Sequence, residues 1–326
     1  MPPLRLRLLV DTALVFGAIA APVVASGFTL FQLSQAVCYG IGVLGLKLLA
    51  GFNGQFSLGH SIFFAVGAYT TAALTANGFD FYQTLPVAAV GAAILGFAIG
   101  WPALRIRGHH LAVVTLVFAL AAPQLARWSV LQDVTGGSAG IGFSRPAVPI
   151  DGLSQDEWWY AVSVVVALAL VVVAILITRS RIGRAMQASR DNPVAARANG
   201  VNTAGVNTFS FALSASYAGL AGGLMMGPLA YVGPDSFGAL LGISLFVAIV
   251  ITGPKWIGGA FVGGLLIVFL PNWAENLSLG LDKTSALTNV VYGVALLGVL
   301  YAQLVDWRRL ARRLRGLWKS AEGDNG

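Results

Sequence analysis

The sequence predicts an all-α polytopic membrane protein with about ten transmembrane helices and with both termini in the cytoplasm. Three observations support this fold class: 57% of the 326 residues are hydrophobic, only 10% are charged, and the mean hydropathy is +0.78. So few charged residues cannot cover the surface of a soluble protein of this size. The net charge of +7 flanks apolar runs instead of forming one face, which fits membrane orientation better than nucleic-acid binding.

Ten apolar runs in the sequence approach the length of about 20 residues that a helix needs to cross a bilayer. The first run follows Arg5 and Arg7 and resembles a signal peptide, but we interpret it as a retained helix because many further runs follow it. The predicted spans occupy residues 10–26, 28–50, 61–77, 85–104, 111–129, 158–178, 207–227, 237–253, 258–272 and 287–305.

The basic residues indicate the orientation of these spans. If the N-terminus is cytoplasmic, all but three of the 20 Lys and Arg residues fall on the inner side, and the exceptions are Arg127, Arg145 and Lys283. This is the positive-inside bias of membrane proteins. We divide the chain into a transmembrane domain at 1–306 and a basic cytoplasmic tail at 307–326, which we expect to lie on anionic lipid.

The longest loop on the predicted outer side comprises residues 130–157. Its glycines and carboxylates fit either a surface for an external partner or a flexible acidic connector. The carboxylates are those of Asp133, Asp151, Asp156 and Glu157.

Residues 179–206 form a basic and polar insert between two apolar runs on the predicted inner side. Within this insert, residues 181–190 favour a helix. A second helix is marked by Asn192 as its cap, Pro193 at its first position and Gly200 after its end. A helix of about seven residues is too short to be stable alone in water. We therefore expect the insert to dock on a partner, and the alternative is an ordinary solvated loop.

A second unusual segment, residues 51–61, interrupts the apolar pattern with three glycines and five polar side chains; we call it the polar break. Irregular backbone is tolerated at membrane depth only where it lines a cavity or is buried in protein. We expect the polar break to line a transport pathway, and the alternative is a short cytoplasmic turn. The residues to test are Asn53, Gln55, Ser57 and His60.

The sequence contains no phosphate-binding Gly-x-x-x-x-Gly-Lys-Ser/Thr motif, so we do not expect this chain to use ATP by itself. Asp11, Lys47 and Arg127 lie near span ends, where we expect their side chains to reach water. His60 is the one group placed to act as a buried proton relay. We therefore expect no enzymatic activity, no metal site and no bound cofactor, and we expect the energy source to lie outside this chain.

Four stretches of the sequence together carry a resemblance to a known family. They are GLKLLAGFNGQFSLGHSIFFAVGAYT at 45–70, LRIRGHHLAVVTL at 104–116, TGGSAGI at 135–141 and GRAMQASRDNPVAARANGVN at 183–202. In these stretches, and in their spacing, the chain resembles the LivM-type inner-membrane permease subunits of ABC importers for branched-chain amino acids.

The resemblance implies that this chain is the transmembrane subunit of an importer in the bacterial inner membrane and forms half of the translocation pathway. It also implies a second, LivH-like permease, two ABC ATPase subunits that consume the ATP, and a periplasmic or extracellular substrate-binding protein. The insert then corresponds to the element that couples to the ATPase. The residues implied in this coupling are Gly183, Arg184, Arg190, Asp191, Asn192, Pro193, Ala195, Ala196 and Gly200.

The sequence departs from the family pattern at two places on the inner side. Val194 stands where importer permeases carry the acidic residue of a Glu-Ala-Ala-x-x-x-Gly signature, and residues 251–256 replace a glycine-rich run.

A permease for urea, short amides or another small polar solute fits the same pattern, because the binding protein decides specificity. Outside the superfamily, the alternatives are a secondary transporter or channel that acts alone and a membrane-embedded enzyme, for which we find no catalytic constellation.

Overall fold

Helices make up most of the part of the chain that the structure describes. This computed structural model describes residues 4–103, 109–277 and 293. The helices are α1 (Leu4–Val24), α2 (Gly27–Lys47), α3 (His60–Ala76), α4 (Phe81–Ala103), α5 (His109–Arg127), α6 (Gln132–Thr135), α7 (Gln155–Arg179), α8 (Arg181–Asp191), α9 (Pro193–Ala198), α10 (Thr203–Leu229), α11 (Ala239–Thr252) and α12 (Gly259–Leu277). Two short strands, β1 (Ile141–Gly142) and β2 (Tyr231–Val232), pair in antiparallel orientation.

Several of these helices are long and apolar enough to cross a membrane. Each predicted apolar run up to 258–272 coincides with a helix, whereas 287–305 and the domain boundary predicted at 306 lie outside the described residues. A further candidate span is bent by 67° between its two parts, Leu111–Arg127 and Ser129–Thr135. Five helical segments meet the length and hydropathy of a span: Gly27–Phe52, Phe81–Trp101, Gln155–Arg179, Thr203–Leu229 and Pro234–Thr252. The all-α membrane fold is thus confirmed, but the count of ten spans is not.

Helix α10 lies at the centre of this bundle and packs against α2, α3 and α4. Small residues allow the close approach. A Cβ atom at Gly67 on α3 would overlap the carbonyl oxygen of Gly219 on α10, and a Cβ atom at Gly222 would overlap the carbonyl oxygen of Phe64. Close backbone contact supplies the attraction between helices where lipid removes the hydrophobic drive. The central position of α10 therefore explains its many small residues.

The first half of the outer loop is folded, so the interpretation as a flexible connector does not describe it. The Thr135 hydroxyl is buried and donates to the carbonyl oxygen of Ala126 at 2.7 Å. Residues 141–142 pair with 231–232. Beside this pair of strands, Arg127 at the end of α5 forms an ion pair with Asp235. The Thr135 hydrogen bond and the strand pair therefore hold the loop to the rest of the protein at two points.

The expectation that Lys47 reaches water is wrong. Its side chain is only 1% exposed. The ammonium group donates to the Thr252 hydroxyl at 2.8 Å, to the Gly253 carbonyl at 2.9 Å and to the Trp256 carbonyl at 2.8 Å. The first two acceptors lie at the carboxyl end of α11, where unpaired carbonyl groups and the helix dipole favour a positive charge. Lys47 therefore ties the end of α2 to the α11–α12 connection.

We expect Lys47→Met to lower the free energy of unfolding by about 1–3 kcal/mol, because buried acceptors at the end of α11 lose their donor. The measurement is the thermal unfolding temperature of the purified protein in one mild detergent. Lys255→Met is the matched control, since Lys255 lies on the same connection and is exposed. Equal unfolding temperatures for the two variants would contradict the role of Lys47.

Candidate functional site

The polar break lies inside the bundle. α2 passes into a π-helical turn at Leu48–Phe52, the backbone is irregular at 53–59, and α3 begins at His60. Asn53 is 3% exposed, and Ser57 and His60 are fully buried. A π-helical turn is often found at functional sites. Most of the break is therefore buried within the protein.

A chain of hydrogen bonds runs from the break to the middle of the bundle. The Ser214 hydroxyl on α10 donates its single proton to the Gly45 carbonyl at 2.6 Å. Its contact of 2.7 Å with His60 Nε2 must therefore be one in which the hydroxyl accepts, so Nε2 carries the imidazole proton. His60 Nδ1 is then the acceptor for the Ser57 hydroxyl at 3.4 Å. These bonds fix the ring of His60 between α2, α3 and α10.

The two amide side chains of the break keep unused acceptors. Asn53 Nδ2 donates to Asn207 Oδ1 at 3.1 Å. Asn53 Oδ1 and Gln55 Oε1 are buried, and neither accepts a hydrogen bond from any described residue. A buried acceptor that remains unpaired costs about 1–3 kcal/mol. Such atoms therefore have the chemistry to accept hydrogen bonds from water or from a polar solute.

The insert forms the two helices that the sequence predicts. α8 begins after Ser180, whose hydroxyl accepts from the backbone N–H groups of residues 182 and 183. α9 begins after Asn192, whose side chain accepts from the N–H groups of residues 194 and 195, and Pro193 occupies the first helical position. Gly200 has φ +80°, as expected for a residue that ends a helix. The two helices that the sequence predicts within the insert are thus confirmed.

Two adjacent residues at the end of α8 bind the insert to the rest of the protein. Arg190 Nη1 donates to the carbonyl oxygen of Gly51 at 2.6 Å, inside the π-helical turn. The Ser189 hydroxyl donates to Asn207 Oδ1 at 3.1 Å, the same atom that accepts from Asn53. We call these three hydrogen bonds the joint. The joint brings the insert and the polar break, two separate predictions of the sequence, into one site.

The structure separates the predicted coupling residues into two groups. Gly183 and Ala196 are buried and Arg190 is half-buried, so these three face the protein. The exposed residues form an outward surface, which also includes Val194 with 65% exposure. The exposed members of the predicted set are Arg184, Asp191, Asn192, Pro193, Ala195 and Gly200. Of the predicted pathway residues, Asn53, Ser57 and His60 are buried and Gln55 is half-buried.

Sequence reasoning missed several residues of the site. Ser189, Asn207 and Ser214 carry no local signal, because a single serine or asparagine near a helix end is ordinary. Gly54 could have been noticed, since glycine next to asparagine marks backbone with positive φ. Its φ is +76°, and a Cβ atom there would overlap Cγ of Arg190. The positive φ of Gly54 could thus have been predicted from the glycine itself, but its contact with Arg190 could not be read from the sequence.

Together, the fold and the site define an all-α membrane protein in which a helical insert is hydrogen-bonded to a largely buried polar break. A family model described as "Branched-chain amino acid transport system / permease component" matches residues 28–300. The chain belongs to this family of permeases. No solved structure matches it significantly.

Individual relatives support the same family. The chain is 35% identical over 252 residues to the high-affinity branched-chain amino acid transport system permease protein LivM of Escherichia coli, a match that covers 69% of this chain and 58% of the relative. It is 30% identical over 270 residues to a probable permease protein LivH of Methanocaldococcus jannaschii, which covers 76% and 83%. The chain thus spans little more than half the length of the LivM relative.

Proposed function

We propose that this chain is the membrane-spanning permease subunit of an ABC importer for branched-chain amino acids. The observation that carries the proposal is the arrangement of the insert: its inner face is bonded to the polar break, while its outer face exposes the short helix α9. The LivM and LivH relatives are named as branched-chain amino acid transport permeases. Urea, short amides and other small polar solutes are the alternative substrates.

The proposed partners are a second, LivH-like permease, two ATPase subunits that bind and hydrolyse ATP, and an external substrate-binding protein. We propose that the exposed surface of α9 docks on an ATPase. Val194 is 65% exposed there and offers an apolar contact where related permeases use an acidic residue. A helix as short as α9 is not stable alone in water, so a docked partner would stabilise it.

The proposed topology has ten spans in the plasma membrane, with both termini and the insert on the cytoplasmic side. Contacts between residues far apart in the sequence support this topology, because each contact joins residues that the topology places on the same side of the membrane. Lys47 contacts Thr252 on the proposed inner side, and the strand pair β1 and β2 lies on the proposed outer side. We also propose that the tail at 307–326 lies in the cytoplasm.

The test of the function is reconstitution in proteoliposomes with the proposed partner subunits. We expect uptake of radiolabelled leucine that requires ATP and the binding protein, and we expect the ATPase subunits to co-purify with the chain in mild detergent. Uptake by liposomes that hold only this chain would instead favour a stand-alone carrier or channel. Uptake of urea or acetamide but not leucine would favour the alternative substrates.

We expect His60→Ala and Asn53→Ala to change the KM or the maximal rate of uptake by about fivefold, since each removes a buried hydrogen bond worth about 1 kcal/mol. Co-purification with the ATPase should be unchanged, because neither side chain reaches the exposed surface of the insert. Asn77→Ala is the control, since Asn77 is exposed at the far end of α3. Unchanged kinetics for both break variants would assign the break a purely structural role.

A further inference from the structure

We infer that the joint transmits movement of the docked insert into the membrane domain, and that Arg190 is the positioning residue of this transmission. The inference rests on the proposed function, because it concerns how the same insert acts after it has docked. It identifies the polar break and the overlapping π-helical turn as the part of the membrane domain that moves with the insert. Arg190 itself acts through the backbone of Gly51 and does not contact a solute.

Helix α8 is shaped to move as one unit. Single non-helical residues bound it: Ser180 separates it from α7, and Asn192 separates it from α9. Near its start, Gly183 packs against the carbonyl groups at the end of α7. Arg190 lies seven residues further along, a distance of about 10 Å along the helix. A rotation of α8 about its first turn therefore produces its largest displacement at the joint.

The backbone of the break cannot slip past Arg190 when α8 moves. On one side of the break, the stem of Arg190 lies against Gly54, where a Cβ atom would overlap Cγ of the arginine. On the other side, a Cβ atom at Gly51 would overlap the carbonyl oxygen of Pro254 in the α11–α12 connection. The Gly51 peptide is thus held between Arg190 and Pro254. We therefore expect a displacement of Arg190 to carry residues 51–54 with it.

The second part of the joint links the same displacement to α10. Asn207 Oδ1 accepts from both Ser189 and Asn53 at 3.1 Å, so one oxygen atom connects the insert, the break and the first turns of α10. The charged donor at Gly51 is the stronger link, because hydrogen bonds from ionised donors are shorter and stronger than neutral ones. Loss of Arg190 should therefore loosen the break more than loss of Ser189.

The test measures ATP hydrolysis and uptake of radiolabelled leucine on the same proteoliposomes of the full complex, together with amide hydrogen exchange of residues 51–58. For Arg190→Met we expect at least a tenfold fall in leucine taken up per ATP, hydrolysis within twofold of the unchanged protein, and faster exchange across 51–58. Arg190→Lys keeps a charged donor and should recover part of the coupling. Arg181→Met is the control, since Arg181 is an exposed arginine of the same helix.

A pair of glycine variants tests the joint without touching the arginine. Gly54 and Gly78 both have positive φ, at +76° and +88°, but a Cβ atom at Gly78 meets nothing within 4 Å. Both alanine variants therefore place a side chain at positive φ, and only Gly54→Ala brings a Cβ atom against Arg190. We expect Gly54→Ala to reduce leucine uptake per ATP at least fivefold and Gly78→Ala to leave it unchanged.

The possible results separate the two proposals. Normal coupling or unchanged exchange in Arg190→Met, with transport intact in the unchanged protein, overturns the inference and leaves the function standing. A fall in hydrolysis equal to the fall in uptake also overturns it, because it shows a defect of docking instead of transmission. If the unchanged complex takes up no leucine with ATP, the proposed function fails, and the inference fails with it.

Discussion

Gly67→Ala is expected to prevent assembly of a stable membrane domain. The new Cβ atom would overlap the backbone carbonyl of Gly219, and backbone cannot rotate away as the end of a flexible side chain can. Helices α3 and α10 would have to separate along their central contact. Overpacking typically costs about 1–3 kcal/mol of stability and occasionally more. We expect a cost at the upper end of this range, because the overlap is with backbone atoms between two central helices. The measurement is the thermal unfolding temperature and the yield of monodisperse protein in detergent.

Gly17→Ala is the matched control for this substitution. Gly17 also lies within an apolar helix, but a Cβ atom there meets nothing within 4 Å. Alanine favours helix over glycine by about 1 kcal/mol, so this variant should be as stable as the unchanged protein or slightly more stable. If Gly67→Ala unfolds at the same temperature as Gly17→Ala, the tight crossing of α3 and α10 is not a determinant of stability.

Gly200→Pro is expected to abolish uptake while leaving membrane insertion intact. Proline holds φ near −65°, whereas Gly200 has φ +80°. Proline also lacks the N–H group that donates to the carbonyl of Arg197 at 3.0 Å. The end of α9 can therefore not form, and the surface proposed to dock on the ATPase is lost. The measurements are leucine uptake by the reconstituted complex and the amount of ATPase that co-purifies.

Gly200→Asn is the control for this site, because asparagine tolerates positive φ better than other side chains. The space around Gly200 is open, so asparagine has room. We expect this variant to retain most of the uptake and of the bound ATPase. Uptake at the normal rate by Gly200→Pro would show that α9 is not the coupling element.

Much of the architecture could be predicted because its signals are local. Apolar runs predicted the positions of the long helices α1 to α5, α7 and α10 to α12, since a helix in lipid satisfies its own backbone groups. The ends of α9 were read from Asn, Pro and Gly at fixed offsets, because capping bonds join residues two or three positions apart. Lys47 was misjudged for the same reason: the sequence shows a lysine near a span end, but not what surrounds it.

The sequence alone determined that this protein is an all-α membrane protein with a helical insert and a polar break. Composition predicts the fold class, and the local spacing of residues predicts the insert and the break. Only the tertiary structure decided that the two are one site. The bond from Arg190 to Gly51 joins residues 139 positions apart, and the bond from Asn53 to Asn207 joins residues 154 apart. Such contacts depend on how α2, α8 and α10 pack, and helix packing is set by close approach of small residues, which no single segment encodes.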